Sequence, residues 1–296
     1  MLLELFVVRD NATRWNSSYL SIHRALKLKS RIKAFLDDNQ DDLQADTLTE
    51  AEWQQLADME IVLAPFQSWT KRLEGHAKDG AYGSIWEAMP ALESLIKHLD
   101  EMKKVYTQRT HPELAASINL AWSKLDEYYI KLDHSPAYAA ALLLHPQFRL
   151  QHFKNNWKGS LLKYLRPMQD ACRQLYESTY QSQSLEIEEE EEETDFAQRA
   201  INQLLPKQVR DEYKTYIEGD RILKTPDNLF EWWNGQSHVP SVRQMAFDLL
   251  SIPATSCECE RVFSGAKKTI SDYRGRLGAD IIEALECDGA WLRAKV

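Results

Sequence analysis

Turn-forming residues are scarce here: ten glycines and ten prolines in 296 positions. That is too few for an all-β sandwich or barrel, which needs a turn every few residues. The four cysteines, Cys172, Cys257, Cys259 and Cys287, do not make a disulfide framework in a chain of this size, and a reducing compartment is the expectation. No apolar run approaches the ~20 residues that cross a bilayer. The apolar stretch Met1 to Val8 is much shorter than that, and no signal peptide is read. A soluble, intracellular protein with no membrane partner is expected. The G-x-S-x-G, H-E-x-x-H and Walker patterns are absent, which removes the common motif-borne enzymes. So is a basic run of the nuclear-localisation type.

Hydrophobic residues make up 44% of the chain, with nine Trp and twelve Tyr, enough to fill a sizeable core. The net charge of −9 is unevenly placed. Eight acids and no Lys or Arg lie between Ser178 and Asp195, so the remainder is near −1, while residues 1–35 hold seven Lys or Arg against two acids. A local basic face could therefore meet phosphates despite the acidic total.

Apolar periodicity predicts helix after helix. Asn16 or Ser17 caps a helix reaching about Leu36, with Tyr19, Ile22 and Leu26 on one face. Thr49 and Glu52 have capping-box spacing ahead of Trp53, Leu56, Val62, Leu63 and Phe66, and Pro65 should kink or end that helix. Further helices are predicted over Ile85 to Tyr106, Glu113 to about Leu132, and in shorter pieces over 136–177. The glutamate run 188–193 cannot repay its ordering by burial, so 178–195 reads as an acidic flexible linker. Helices resume from Phe196 to Leu205 and from Gln208 to Ile217. Leu229 to Trp233 is a short aromatic segment, Pro240 to Asp248 is helical, and Leu249 to Ala254 (LLSIPA) is the strand candidate. Helix signals return from Glu258, and a last amphipathic helix spans about Asp280 to Leu292, with Ile281, Leu285 and Leu292 on one side.

Two motif blocks carry a family likeness. Trp232-Trp233, Pro240, Leu250 to Ser256, Glu260 to Ser264, Arg274 to Leu277 and Trp291-Leu292 follow in order, and together resemble the C-terminal dimerisation region of hAT-family DNA transposases. Thr13 to Ser17 (TRWNS) is similar to the signature that opens the family's helical insertion. Weaker echoes lie at Leu63 to Gly75 and Ala140 to Trp157. The resemblance implies a mainly α fold: a helical insertion-type array over 1–177, the linker 178–195, and a dimerisation region over 196–296. That last region would hold the terminal strand and helix of an incomplete RNase H-like fold.

In the intact family, three carboxylates hold two Mg²⁺ ions that activate the attacking oxygen and stabilise the leaving one. The third of them maps onto Glu260. The other two are aspartates on strands upstream of TRWNS, and this sequence starts only twelve residues before Thr13. Asp10 adjoins the motif but does not occupy the family's aspartate positions. The expectation is therefore a remnant Glu260, no cofactor and no autonomous transposase activity, because one carboxylate cannot hold two Mg²⁺. The alternative is a fragment of an active transposase that cleaves and joins DNA once its missing part is supplied.

The same likeness gives Arg14 and Trp15 a DNA role, with Trp15 either stacked on a base or an aromatic packed at the helix start. Arg24, Lys27 and Arg31 are either phosphate contacts or a solvated helix face. Cys257 and Cys259 lack the second pair of a zinc site and are read as small packing residues. For self-association the candidates are Trp232, Trp233, Phe263, Ile281, Leu285, Trp291 and Leu292, each either core or interface. A homodimer or homo-oligomer, DNA as a partner and a nuclear location complete what the resemblance implies.

Overall fold

The computed structural model describes residues 15–74, 84–181, 211–224, 226, 228–257, 260 and 278–294. The side chains of residues 15, 160, 279, 282, 286, 290, 293 and 294 fall outside that description, as do the predicted helices over 196–205 and most of the acidic linker. Among the described residues the regular elements are helices: α1 (Trp15–Asp38), α2 (Gln40–Leu43), α3 (Glu50–Glu74), α4 (Ala88–Val105), α5 (Pro112–Lys131), α6 (Ala137–Leu144), α7 (Arg149–Asn156), α8 (Leu162–Thr179), α9 (Glu212–Glu218), α10 (Leu229–Asn234), α11 (Pro240–Leu250) and α12 (Ala279–Ala294), with short 3₁₀ turns between some of them. The fold is mainly α.

The described residues divide into two compact units, the first within 1–72 and 91–127, the second within 73–90 and 128–296. In the first unit, Val62, Leu99, Tyr106 and Ile118 form the core, flanked by Phe66, Met102, Leu114, Ala121, Trp122 and Leu125. Apart from Tyr106, just past the end of α4, these come from one face each of α3, α4 and α5, as the 3.6-residue period requires. The capping box at the start of α3 is realised. The Thr49 N–H donates to Glu52 Oε2 (2.7 Å) and the Glu52 N–H donates to Thr49 Oγ1 (3.3 Å), so two otherwise orphaned donors are satisfied reciprocally.

Pro65 does not end α3, which continues to Glu74. A proline ring deprives the carbonyl four residues back, here Ile61, of its helical donor. One residue on, the Val62 carbonyl accepts from His98 Nε2 of α4 at 3.1 Å. Val62 and Phe66, on either side of Pro65, both pack into the core.

The second unit is built around α6. Its sequence AYAAALLL is apolar on every side, and Ala139 to Leu144 are all buried, the expectation for a helix surrounded by others. Around it lie α7, α8, α11 and the 3₁₀ turn Ile85–Glu87. α9 is pinned by polar contacts to buried carbonyls. The Tyr216 hydroxyl donates to Leu144 O (2.8 Å), and Arg149 Nη1 donates to Tyr216 O (3.1 Å). Arg149 adopts a left-handed backbone, φ +47°, and its guanidinium lies 4.2 Å from the Tyr216 ring centre. At the start of α11, which places Pro240 in its first turn, the Ser241 N–H donates to the Glu212 carboxylate of α9 (3.1 Å). That satisfies a helix-terminal donor with a negative group, where the dipole favours one.

The strand expected over Leu249 to Ala254 is not formed. Leu249 and Leu250 instead complete α11, because Val242, Met245, Ala246, Leu249 and Leu250 continue one helical face into the core. Beyond the turn at Ser251, Pro253 makes a single isolated bridge with Ser84, supported by Ile85 N–H donating to Ile252 O (2.9 Å) and Ser84 Oγ donating to Leu250 O (2.8 Å). No strand or sheet occurs among the described residues.

Candidate self-association surface

The C-terminal helix α12 has a composition that would normally be hidden. Yet Ile281, Leu285, Trp291 and Leu292 are 46%, 48%, 57% and 79% exposed. At about 100° per residue, Ile281, Leu285 and Leu292 fall within about 40° of one another around the axis, and Trp291 lies to one side. Exposed Asp288 sits within this stripe. The result is an apolar band along about three turns of helix, interrupted by one carboxylate. Scattered single apolar residues on a surface need no explanation, but a band of this kind marks a place where something packs.

The other association candidates take different positions. Trp233 is fully buried. Its ring lies 4.7 Å from Tyr216 and 5.1 Å, edge-on, from Trp232, so in the single chain it offers no surface. Trp232 is half-buried at the edge of the same cluster. Phe263 lies outside the described residues. Phe230, unremarked in the sequence, is 42% exposed and stacks on Phe247 at 6.2 Å. The string FEWWN carried that signal, but a six-residue helix cannot show from its spacing which aromatics face out.

Glu260 is exposed, and Ser256 Oγ donates to its Oε1 at 3.3 Å, one helical turn away. Among the described residues no group of three or more His, Cys, Asp or Glu is arranged to hold a metal ion. Two Mg²⁺ ions need several converging oxygens, and among the described residues Glu260 belongs to no such group. The described residues do not fit that metal pair, and no catalytic step is assigned through it.

On α1 the cations sort by partner. Lys29 and Lys33 both pair with Glu50, Lys29 at 2.8 Å, and their hydrogen bonds hold its carboxyl down at about 2. Lys29 also lies 5.4 Å from the Trp53 ring centre. Arg24 is half-buried and engaged within the chain. Lys27 and Arg31, one turn apart, are exposed. Arg14 and the Trp15 side chain lie outside the described residues. Cys257 is half-buried, and Cys259 is outside the description.

Comparisons with known proteins match this region and one at the other end of the chain. The hAT family C-terminal dimerisation region matches residues 212–292, which spans α9 to α12. The ZBED1 RNase-like helical domain matches residues 4–62. Over these two segments the chain is similar to hAT-family transposases. It is 27% identical to a Talaromyces stipitatus protein named as the transcriptional regulator tpeD, over 95% of this chain and 31% of that protein. A Zea mays protein named as an AC transposase is 24% identical over 96% of this chain and 37% of its own length. The Arabidopsis thaliana zinc finger BED domain-containing protein DAYSLEEPER is 21% identical over 96% and 40%. The hAT-like chain thus spans roughly a third to two-fifths of these relatives' lengths. Among the described residues, none of its helices is long and apolar enough to cross a membrane.

Proposed function

We propose that this chain acts by self-association, with the exposed band of α12 packing against α12 of a second copy. The observation that supports this most directly is the exposure of Ile281, Leu285, Trp291 and Leu292 within a segment matching a dimerisation region. A two-fold pairing buries the same stripe on both copies, which is how most soluble homo-oligomers are made. Aromatic and aliphatic side chains at its centre supply the contact area, and Trp291 is the natural anchor. Size-exclusion chromatography with light scattering at ~10–100 µM, well above ordinary affinities, should give twice the chain mass. Trp291→Ala with Leu285→Asp should return it to the monomer. A wild-type chain that is monomeric throughout that range rejects the reading.

A second role, in DNA contact, rests on Lys27 and Arg31 of α1 and on a feature of the second unit. Residues 134–169 contain no acid at all, and within them Lys154, Lys158, Lys163 and Arg166 are exposed. Such surfaces bind phosphate without reading sequence, and their affinity falls steeply with salt. Fluorescence anisotropy with a labelled duplex at several salt concentrations tests it; binding indifferent to salt would oppose it. With relatives named for transposition and transcriptional regulation, a nuclear place of action goes with this reading. Cleavage and strand transfer belong, on this view, to a protein that supplies the carboxylates Glu260 lacks.

A further inference from the structure

Within the first unit, a cleft of about 600 Å³ opens between α3 and the first three turns of α5. That is the size of small-molecule sites, which run from ~300 to 1,000 Å³ and combine apolar walls with a few placed polar groups. Here the walls are Met59, Val62, Leu63, Leu114 and Ile118.

The polar group of interest is Asp58, whose residue is only 6% exposed. A buried carboxylate is costly unless its oxygens are occupied. Its Oδ1 accepts twice, from the Tyr106 hydroxyl (3.2 Å) and from Gln54 Nε2 (3.1 Å). Its Oδ2 has no hydrogen bond among the described residues. The nearest candidate donor is His111 Nε2 at 3.8 Å, beyond hydrogen-bond length. His111 lies edge-on to Tyr106 at 5.2 Å, and its Nδ1 is shielded from solvent without a partner. Asp58 and Glu113 both line the cleft, and no Lys or Arg does. The cleft combines apolar walls with two carboxylates, and one oxygen of the buried residue Asp58 accepts no hydrogen bond among the described residues.

The geometry points to this cleft as a binding site for a small organic cation, a protonated amine on an aromatic or branched apolar group. The ammonium donates to Asp58 Oδ2, and the apolar body lies against Met59, Leu63 and Leu114. The charge-assisted hydrogen bond is the selective element, because a neutral analogue of the same shape leaves Oδ2 as it was. The site is independent of the α12 surface and lies in the other unit.

The test uses the full chain at pH 8, where an ordinary histidine is neutral, with 2-phenylethylamine as the probe. 2-Phenylethanol and 3-phenylpropionate are the matched neutral and anionic controls. Calorimetry gives affinities, and methionine-methyl NMR reports whether the Met59 methyl moves. The expected result is amine binding in the micromolar to low-millimolar range with a Met59 shift, at least tenfold weaker binding of the alcohol, and none of the acid. Asp58→Asn keeps an oxygen for Tyr106 and Gln54 but presents an amide in place of Oδ2, and should weaken the amine tenfold or more. If Asp58→Asn does not fold, Met59→Trp, at a partly exposed position, fills the cleft without touching the carboxylate and should abolish binding. Equal binding of amine and alcohol, an unaffected folded Asp58→Asn, retained binding in Met59→Trp, or a Met59 methyl unmoved by about 10 mM amine (weaker than millimolar affinity) would each overturn the proposal.

Discussion

Helices α11 and α12 belong to the same matched region and have similar apolar content, yet they meet opposite surroundings. Six of the eleven residues of α11 are buried, Met245 and Ala246 completely. Its neighbours α6, α9, α10 and the 3₁₀ turn Ile85–Glu87 cover it from several sides. In α12, the large apolar side chains Ile281, Leu285, Trp291 and Leu292 all face solvent. Hydrophobicity drives both helices to lose contact with water. On the proposed self-association, the matched region holds two kinds of apolar residue, one stabilising the fold and the other the association, and each should respond to a different measurement.

The largest effect should come from the folding side. Trp233 is wholly buried between Tyr216 and Trp232, so Trp233→Ala should cost about 3–5 kcal/mol by cavity formation and lost contacts. That is a large share of the ~5–15 kcal/mol holding a domain together. Urea unfolding followed by far-UV circular dichroism checks it. Trp233→Phe should cost much less, because the indole N–H has no acceptor in its buried site and the substitution removes that unmet donor with little lost packing. A loss below ~1 kcal/mol for the alanine variant would mean that α10 is not part of the core.

Acid should act next, again on the folding side. His145 is 1% exposed, between Trp86 at 4.3 Å and Phe148 at 4.6 Å. Burial pushes its imidazole down to about 4. The unfolded chain binds a proton near 6.5, so between these values it holds the proton that the folded chain refuses. The stabilisation is thus fully present above about 6.5 and falls as pH drops towards 4, by on the order of 3 kcal/mol in all. Asp211 behaves differently. Burial raises its carboxyl, but the Lys214 backbone N–H and the Arg173 guanidinium outweigh this and leave it lowered. Its share is lost only below the ordinary aspartate range. Replacing His145 with Phe should flatten the upper part of the profile and leave the lower part, as read by urea midpoints at stepped pH.

A smaller loss is expected at Gly219, just beyond α9. A Cβ there would sit 2.7 Å from Arg149 Nη1 and 3.0 Å from the Thr215 carbonyl. Because Arg149 is held by the Tyr216 carbonyl and ring, it cannot simply swing away. Gly219→Ala should cost about 1–3 kcal/mol, the range for overpacking, and thermal or urea denaturation will show it. Gly219→Ala paired with Arg149→Lys should recover part of the loss, since the thinner ammonium relieves the clash.

Local chemistry is what the sequence displays best. The Thr49–Glu52 pair announced a helix start that the hydrogen bonds bear out, and the 3.6-residue period located most of the helices. The reading was less sure where distant residues decide. Of the two outcomes expected at Pro65, a kink or an end, the end does not occur, and α3 continues to Glu74. The string LLSIPA resembles a strand by composition, but its leucines finish a face begun at Val242 and are covered by other helices. Adjacent tryptophans such as Trp232 and Trp233 look alike in a string, and only the tilt of α10 sends one inward. The cleft was invisible for the same reason, since Asp58 lies in α3 while Tyr106 and His111 lie in the connection between α4 and α5, and none belongs to a motif.

The smallest effect on folding should be at α12. Leu285 is 48% exposed, so Leu285→Ala removes little buried area in the isolated chain and should shift its stability by less than about 0.5 kcal/mol. Measured dilute, where the chain is monomeric, its urea midpoint should match wild type. Measured concentrated, the same variant should dissociate at least tenfold more readily, because on the proposed pairing its side chain leaves water only when a second copy arrives. Met245→Ala in α11 should do the reverse, with a cost of about 2–5 kcal/mol at any concentration and no separate effect on association among the molecules that remain folded. The pair therefore tests the division between the two helices directly. If Leu285→Ala destabilised the monomer as much as Met245→Ala does, α12 would be covered within its own chain, and its apolar band would belong to the core.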